Sequence, residues 1–217
     1  MIFGKIEYLN LLPFHLFMKR YTKTTQQKMS MNYKHGVPAK INDEFQAKRV
    51  DGAFISSIKA KKYRYVNVGI IAKKEVLSVL VIPNEKNLLD KASASSNVLA
   101  KILNIQGKVL IGDNALRYYF QNKPAIDLAK EWQKKYHLPF VFALLCFHKE
   151  QKNYKKIEKN FLKTHIKIPQ YILKKASKQT NIQPQDILFY LQHISYDLDK
   201  KAKLGLKKFY TLQSKIQ

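Results

Sequence analysis

Cysteine is nearly missing from this 217-residue chain. Cys146 stands alone, which excludes a disulfide scaffold and a zinc cluster built on cysteines. Arginine is scarce as well, limited to Arg20, Arg49, Arg64 and Arg117. The excess of 40 basic over 15 acidic residues, a formal net charge of +25, is therefore carried almost wholly by lysine. Bidentate reading of bases and phosphates leans on arginine, and these lysines are spread along the chain rather than gathered in one tail. A nucleic-acid partner is disfavoured, and the charge reads as a solvated surface that can also concentrate a small anion nearby. The sequence has no run approaching the ~20 apolar residues that span a bilayer. Its start, MIFGKIEYLN, lacks a charged segment followed by an apolar stretch and a small-residue cleavage site. These absences predict a soluble, cytoplasmic protein with no membrane partner. Disorder is excluded in turn, because 46% of the residues are hydrophobic, enough to bury a real core.

The first half alternates strand and helix signals. Met1 to Leu9 is a short apolar run ending at Asn10, and Met29 to Tyr33 is a second strand candidate. In HGVPAKINDEFQAKRVD, Val37, Ile41 and Phe45 recur at helical spacing after the turn marked by Gly36 and Pro38. VDGAFISS, YVNVGIIA and VLSVLVIP read as three further strands, the last stopped by Pro83. SASSNVLAKIL has the look of a serine-capped helix, KVLIGDNALRYYF of a strand running through Gly112 into a helix, and AIDLAKEWQKKYH of an amphipathic helix. LPFVFALLCF reads as a fully buried strand. Helices are predicted over about 150–163, 168–179, 184–197 and 200–215. This order implies an α/β protein of two lobes, with Val76 to Ile82 crossing between them and Pro139 to Phe147 crossing back.

Several apolar strands end in small polar residues: Tyr8-Leu9-Asn10, Ile55-Ser56-Ser57, Ser93 to Asn97, and Ile111-Gly112-Asp113-Asn114. In open α/β sheets ligands bind beyond the carboxyl ends of strands, where hydroxyls, amides and helix-start N–H groups can grip the carboxylates of a small anion. Taken singly, each serine or aspartate is also an ordinary helix cap. Other catalytic templates fail. The chain has no GxSxG, HExxH or GxxxxGK[ST]. His15, His35, His137, His148, His165 and His193 show no metal-ligand spacing, so no metal site is expected. Cys146 and Trp132 read as core residues. Lys155-Lys156, Lys174-Lys175 and Lys200-Lys201 read as solvated helix faces.

Seven segments then occur in order: GKIEYLNLLPF, HGVPAKINDEF, DGAFISS, VLSVL, SASSNVL, LIGDNAL and IDLAKEWQKKYHLPFVFA. Together they resemble the chorismate dehydratase family of the futalosine route to menaquinone, over about residues 1–145. The resemblance implies a two-lobed α/β fold similar to type II periplasmic binding proteins, with a trimmed second lobe and a helical C-terminus. Lobe 1 would comprise 1–80 plus 146–217 and lobe 2 would comprise 81–145, with the ligand cleft between them. It also implies a reaction without metal or organic cofactor, in which chorismate loses water to give 3-[(1-carboxyvinyl)oxy]benzoate. By motif match, Asn10 would stand at the reacting end of the ring. Tyr8, Ser56, Ser57, Ser78, Ser95 and Ser96 would contact the carboxylates or hydroxyl, Gly112 would let the backbone approach the ligand, and Asp113 would order its loop. Glu7 and Asp113 are acids within these motifs, yet neither sits in a general-base arrangement, so a carboxylate of the substrate itself is a candidate proton acceptor. The chain departs from the family in a shorter stretch between Ser78 and Gly112, in Glu7 where Asp is frequent, and in Ala129 where Gly is frequent. Two other readings remain open. The dihydroxynaphthoate-forming sibling of the same route carries a Cys-Pro-Asn-Asp run that EYLNLLPF lacks, and a non-enzymatic carboxylate-binding protein would share the fold.

Overall fold

The computed structural model describes residues 1–22 and 31–216. The chain opens with β1 (Ile2–Lys5), a short 3-10 turn (Leu9–Leu11), α1 (Leu12–Tyr21), β2 (Asn32–His35), α2 (Pro38–Gln46), β3 (Gly52–Ser56), α3 (Ser57–Ala60) and β4 (Arg64–Ala72). It continues through β5 (Val79–Ile82), α4 (Ala94–Leu103), β6 (Lys108–Ile111), α5 (Gly112–Phe120), β7 (Ile126–Asp127) and α6 (Leu128–Tyr136). It closes with β8 (Phe140–Phe147), α7 (Gln151–Lys163), α8 (Gln170–Thr180), α9 (Pro184–Leu191), β9 (Ser195–Asp197) and α10 (Lys200–Gln213). No helix among the described residues is long and apolar enough to cross a membrane.

Two sheets organise these elements. The larger has the strand order β2-β1-β3-β8-β4-β9, and the smaller has the order β6-β5-β7. β1 runs parallel to β2 and β3, while β8 lies antiparallel between β3 and β4. Parallel β1 and β3 are joined through helices, so their carboxyl ends emerge side by side, the position where an open sheet holds its ligand.

Local chemistry explains the elements. Pro38 opens α2 at a position where the missing N–H costs nothing, and Ile41 and Phe45, one turn apart, are buried. Val37 precedes the helix and is exposed, so it does not share their face as the spacing predicted. Ser93 caps α4 by accepting from the Ser96 N–H at 3.2 Å. β8 is buried except at Phe142 and Ala143, which border the cleft described below. Cys146 is fully buried, and burial pushes its thiol pKa upward, as an inert core residue requires. Trp132 is also buried, with ring centroids 4.4 Å from Tyr136 and 5.2 Å from Phe140. Each such side chain contributes about 1.5–3 kcal/mol on leaving water. Gly205 lets α10 press onto the return segment, where a Cβ would stand 2.0 Å from the Pro139 carbonyl oxygen.

Three expectations change. Neither β5 nor β8 crosses between the sheets. Val79 already pairs with Ile111 in the smaller sheet, and β8 pairs within the larger sheet from Phe140 onward. The crossings are the short connections 73–78 and 137–139, because an all-apolar strand such as β8 is best satisfied with partners on both edges. The helix predicted over 184–197 stops at Leu191, and Ser195–Asp197 adds β9 to the edge of β4. Ile194 and Leu198 are buried on either side of half-buried Tyr196, an alternation of period two that the helical reading passed over. The strand candidate at Met29 lies partly outside the described residues, and the strand itself runs Asn32–His35.

Candidate active site

An open cleft lies between the two sheets and is lined by residues of both. The end of β1 brings Tyr8 and Asn10 to it, the end of β3 brings Ser56, the 73–78 crossing brings Ser78, the start of α4 brings Ser93 and Ser96, and the start of α5 brings Gly112. Apolar walls come from residues such as Ile6, Phe54, Ile70 and Phe142. Six of the nine residues singled out from sequence therefore meet here: Tyr8, Asn10, Ser56, Ser78, Ser96 and Gly112.

The other three take different places. Ser57 and Ser95 are buried and bonded to each other, Oγ to Oγ at 3.0 Å, and the Ile58 N–H also donates to Ser95 at 3.2 Å. They fasten α3 to α4. Of each serine pair, one member faces the cleft and its neighbour faces the interior. Asp113 turns away from the cleft and accepts the Leu9 N–H at 3.3 Å, tying α5 to the β1 end. Burial raises its carboxyl pKa, with the Leu9 N–H and Arg117 pulling the other way.

The cleft serines share one hydrogen-bond polarity. Asn42 donates its amide to Ser56 Oγ at 3.1 Å and accepts the Ser56 N–H at 3.1 Å. Tyr190 donates its hydroxyl to Ser78 Oγ at 2.9 Å. Ser93 donates to Ser96 Oγ at 2.7 Å. Each serine oxygen already receives a proton from the protein, which leaves its own O–H to donate into the cleft. Such a wall suits a ligand rich in acceptors.

The backbone is fixed with equal care. Tyr196 donates to the Asn10 carbonyl at 2.6 Å. Asp127 accepts from the Val76 and Leu77 N–H groups at 2.9 and 2.7 Å through one oxygen, and from Ala129 and Lys130 at 2.9 and 3.0 Å through the other. One carboxylate thus caps α6 and clamps the crossing that carries Ser78, at a point where Leu77 holds φ +61. Gly112 has φ +63, and a Cβ there would stand 2.8 Å from the Tyr8 ring. The glycine is required by Tyr8 and by its own backbone conformation. Burial, with Asp90 and Asp113 nearby, pushes the Tyr8 phenol up to about 12, so it stays protonated.

Behind Tyr8 lies a second cavity, bordered by Lys5, Glu7, His15, Lys19, Asp113 and Lys175. Glu7 is mostly exposed there and pairs with Lys5 at 3.4 Å and His35 at 3.0 Å. Partial burial raises its carboxyl pKa, and Lys5 and His35 outweigh that and leave it lowered, hence ionised. His15 contacts the Ile6 carbonyl at 2.8 Å, and burial pushes its pKa down to about 4, so it is neutral and donates through Nε2.

Sequence reasoning missed Asn42, Asp127, Tyr190 and Tyr196, and reached Ser93 only as part of the segment Ser93 to Asn97. Asn42 sits inside a quoted motif, and Asp127 carries a cap signal ahead of LAKEW. Tyr190 and Tyr196 lie in the lysine-rich C-terminal part and carry no local signal.

The family model described as menaquinone biosynthesis matches residues 1–108 and 102–215. A protein named chorismate dehydratase from Campylobacter jejuni subsp. jejuni serotype O:23/36 (strain 81-176) is 46% identical over 213 residues, covering 96% of each chain. The chain belongs to the menaquinone biosynthesis family. Its backbone resembles solved structures at much lower identity. Protein AF1704 from Archaeoglobus fulgidus superposes with a TM-score of 0.70 at 12% identity, over 99% of this chain and 96% of that one. A Candida albicans protein described as having the generic periplasmic binding protein fold superposes with a TM-score of 0.55 at 14% identity, over 99% and 90%. This member of the menaquinone biosynthesis family thus has the two-sheet α/β fold of periplasmic binding proteins.

Proposed function

We propose that this protein is a chorismate dehydratase, a carbon-oxygen lyase that eliminates water from chorismate to give 3-[(1-carboxyvinyl)oxy]benzoate. The two sheets act as lobes, and the substrate lies between them. The observation that carries the reading is the shared polarity of Ser56, Ser78 and Ser96, whose oxygens are occupied by Asn42, Tyr190 and Ser93. Ionised carboxylates only accept hydrogen bonds, and chorismate presents two of them. The 46%-identical relative named chorismate dehydratase supports the same substrate.

The chemistry needs a proton removed from the ring so that the C–H electron pair becomes the new double bond of the aromatic product, while the hydroxyl leaves with the C–O pair and takes up the abstracted proton to depart as water. No carboxylate or imidazole is among the described residues bordering the cleft. Glu7 and Asp113 face the cavity behind Tyr8. A carboxylate of the bound substrate therefore takes the ring proton, and the protein holds it against the C–H. Asn10 stands at the reacting end and, with the protonated Tyr8, offers hydrogen bonds to the departing oxygen. The positive molecule aids encounter with a dianion without entering the chemistry.

The test is to mix the purified protein with chorismate and follow loss of the cyclohexadiene absorbance alongside appearance of the aromatic enol ether. Stoichiometric conversion is expected. Absence of conversion would overturn the reading, and binding without conversion would favour a non-enzymatic carboxylate-binding protein instead.

A further inference from the structure

We propose that Tyr190 is a positioning residue for this reaction, one that holds the Ser78 hydroxyl as a donor aimed into the cleft. The inference rests on the dehydratase reading and deepens it by assigning a role to the C-terminal helices. Tyr190 is 1% exposed and projects from α9, in a part of the chain remote in sequence from every motif strand. Its hydroxyl donates to Ser78 Oγ at 2.9 Å. One buried phenol thus reaches a polar side chain that borders the cleft while standing outside the lining itself.

The three cleft serines differ in how firmly their polarity is set. An amide N–H can only donate, so Asn42 fixes Ser56 by its chemistry. Ser93 is itself held at the α4 cap, where it accepts the Ser96 N–H. Ser78 has only a hydroxyl behind it, which could donate or accept. The surroundings decide the direction. Burial holds the phenol well above its ordinary pKa, so it keeps its proton, and that proton is directed at Ser78 Oγ, 2.9 Å away. With its oxygen occupied by the phenol proton, Ser78 has its own proton left for the cleft. Removing the phenol oxygen leaves Ser78 free to rotate and unmatched toward an incoming carboxylate or departing hydroxyl.

The experiment is a double-mutant cycle on the full chain with Tyr190→Phe, Ser78→Ala and the pair, read as kcat and KM for chorismate, as Kd for 3-[(1-carboxyvinyl)oxy]benzoate, and as melting midpoint. Tyr190→Phe keeps the ring, and it should lower kcat/KM by about tenfold while the protein still melts cooperatively. In the Ser78→Ala background the same change should cost less than about twofold, read in Kd for the aromatic product where turnover is too slow to measure. Equal losses in the two backgrounds, or an unchanged kcat/KM in Tyr190→Phe, would overturn the proposal and leave a tyrosine of purely structural value. If Tyr190→Phe fails to fold, Tyr190→Trp or Tyr190→His carries the cycle, since each retains a ring and differs in what it can donate. A wild-type protein that leaves chorismate unchanged would remove the dehydratase reading and this inference together. An active wild type with an additive cycle would remove this inference alone.

Discussion

The two cavities on either side of Tyr8 are built from opposite materials. The front cleft has neutral donors set in apolar walls, whereas the cavity behind has Lys5, Glu7, Lys19, Asp113 and Lys175 around it. Charge alone would direct attention to the rear. Yet its carboxylates are committed, Glu7 to Lys5 and His35, and Asp113 to the Leu9 N–H. In front, Ser56, Ser78 and Ser96 each have their oxygen supplied by a partner and their proton left over. Recognition of a dianion in an apolar cleft is better served by aimed neutral donors than by lysines, since no desolvated cation is left behind when the site is empty. The +25 charge belongs to the solvated exterior, and the described lining of the cleft contains no lysine or arginine.

Mutations can test this contrast directly, and the largest effects are expected in front. Asn10→Ala and Ser56→Ala should each lower kcat/KM for chorismate by about 100-fold, the scale of losing one aimed donor. Ser57→Ala, a single residue along, should instead cost about 1 kcal/mol of stability through its lost bond to Ser95 and leave kcat within about twofold. Steady-state kinetics beside denaturant melts separate the two outcomes, and equal kinetic losses at Ser56 and Ser57 would break the account of which serine faces the ligand.

The rear cavity should report on stability instead of turnover. His15 has its pKa lowered from 6.5 to about 4 in the folded protein, so the unfolded chain binds the proton first. The stabilisation is complete above pH 6.5 and is lost as the pH falls through the window from 6.5 to about 4. By the lower limit the loss amounts to about 2–3 kcal/mol. His15→Gln keeps a donor for the Ile6 carbonyl and has no such titration. Its stability should change less between pH 7 and pH 4, measured by urea unfolding at each pH. Parallel profiles for the two proteins would show that His15 is not buried neutral.

Much of the larger sheet was legible in the chain, because its signals are local. Gly36 and Pro38 announce α2, Ser93 announces α4, and the apolar run to Phe147 announces β8. The strand-end reading also located most of the cleft. What it could not resolve was which of two adjacent serines turns inward, since that depends on where a strand hands over to a helix: Ser56 ends β3 and Ser57 begins α3. It also misplaced β8, because an apolar run states burial and not which sheet supplies the burial. Tyr190 and Tyr196 were invisible for a further reason. Their partners, Ser78 and Asn10, are 112 and 186 residues away, and nothing in the local sequence marks either tyrosine as reaching a distant site.

The central claim is that the protein supplies aimed donors and no carboxylate base. Turnover and binding of chorismate by the Glu7→Gln, Asp113→Asn double variant test it most directly, because the amide oxygen introduced at position 113 can still accept the Leu9 N–H. The folded variant is expected to bind chorismate and keep kcat within about threefold of wild type. A variant that binds chorismate normally and has lost turnover would contradict it, and would put the proton acceptor on the protein.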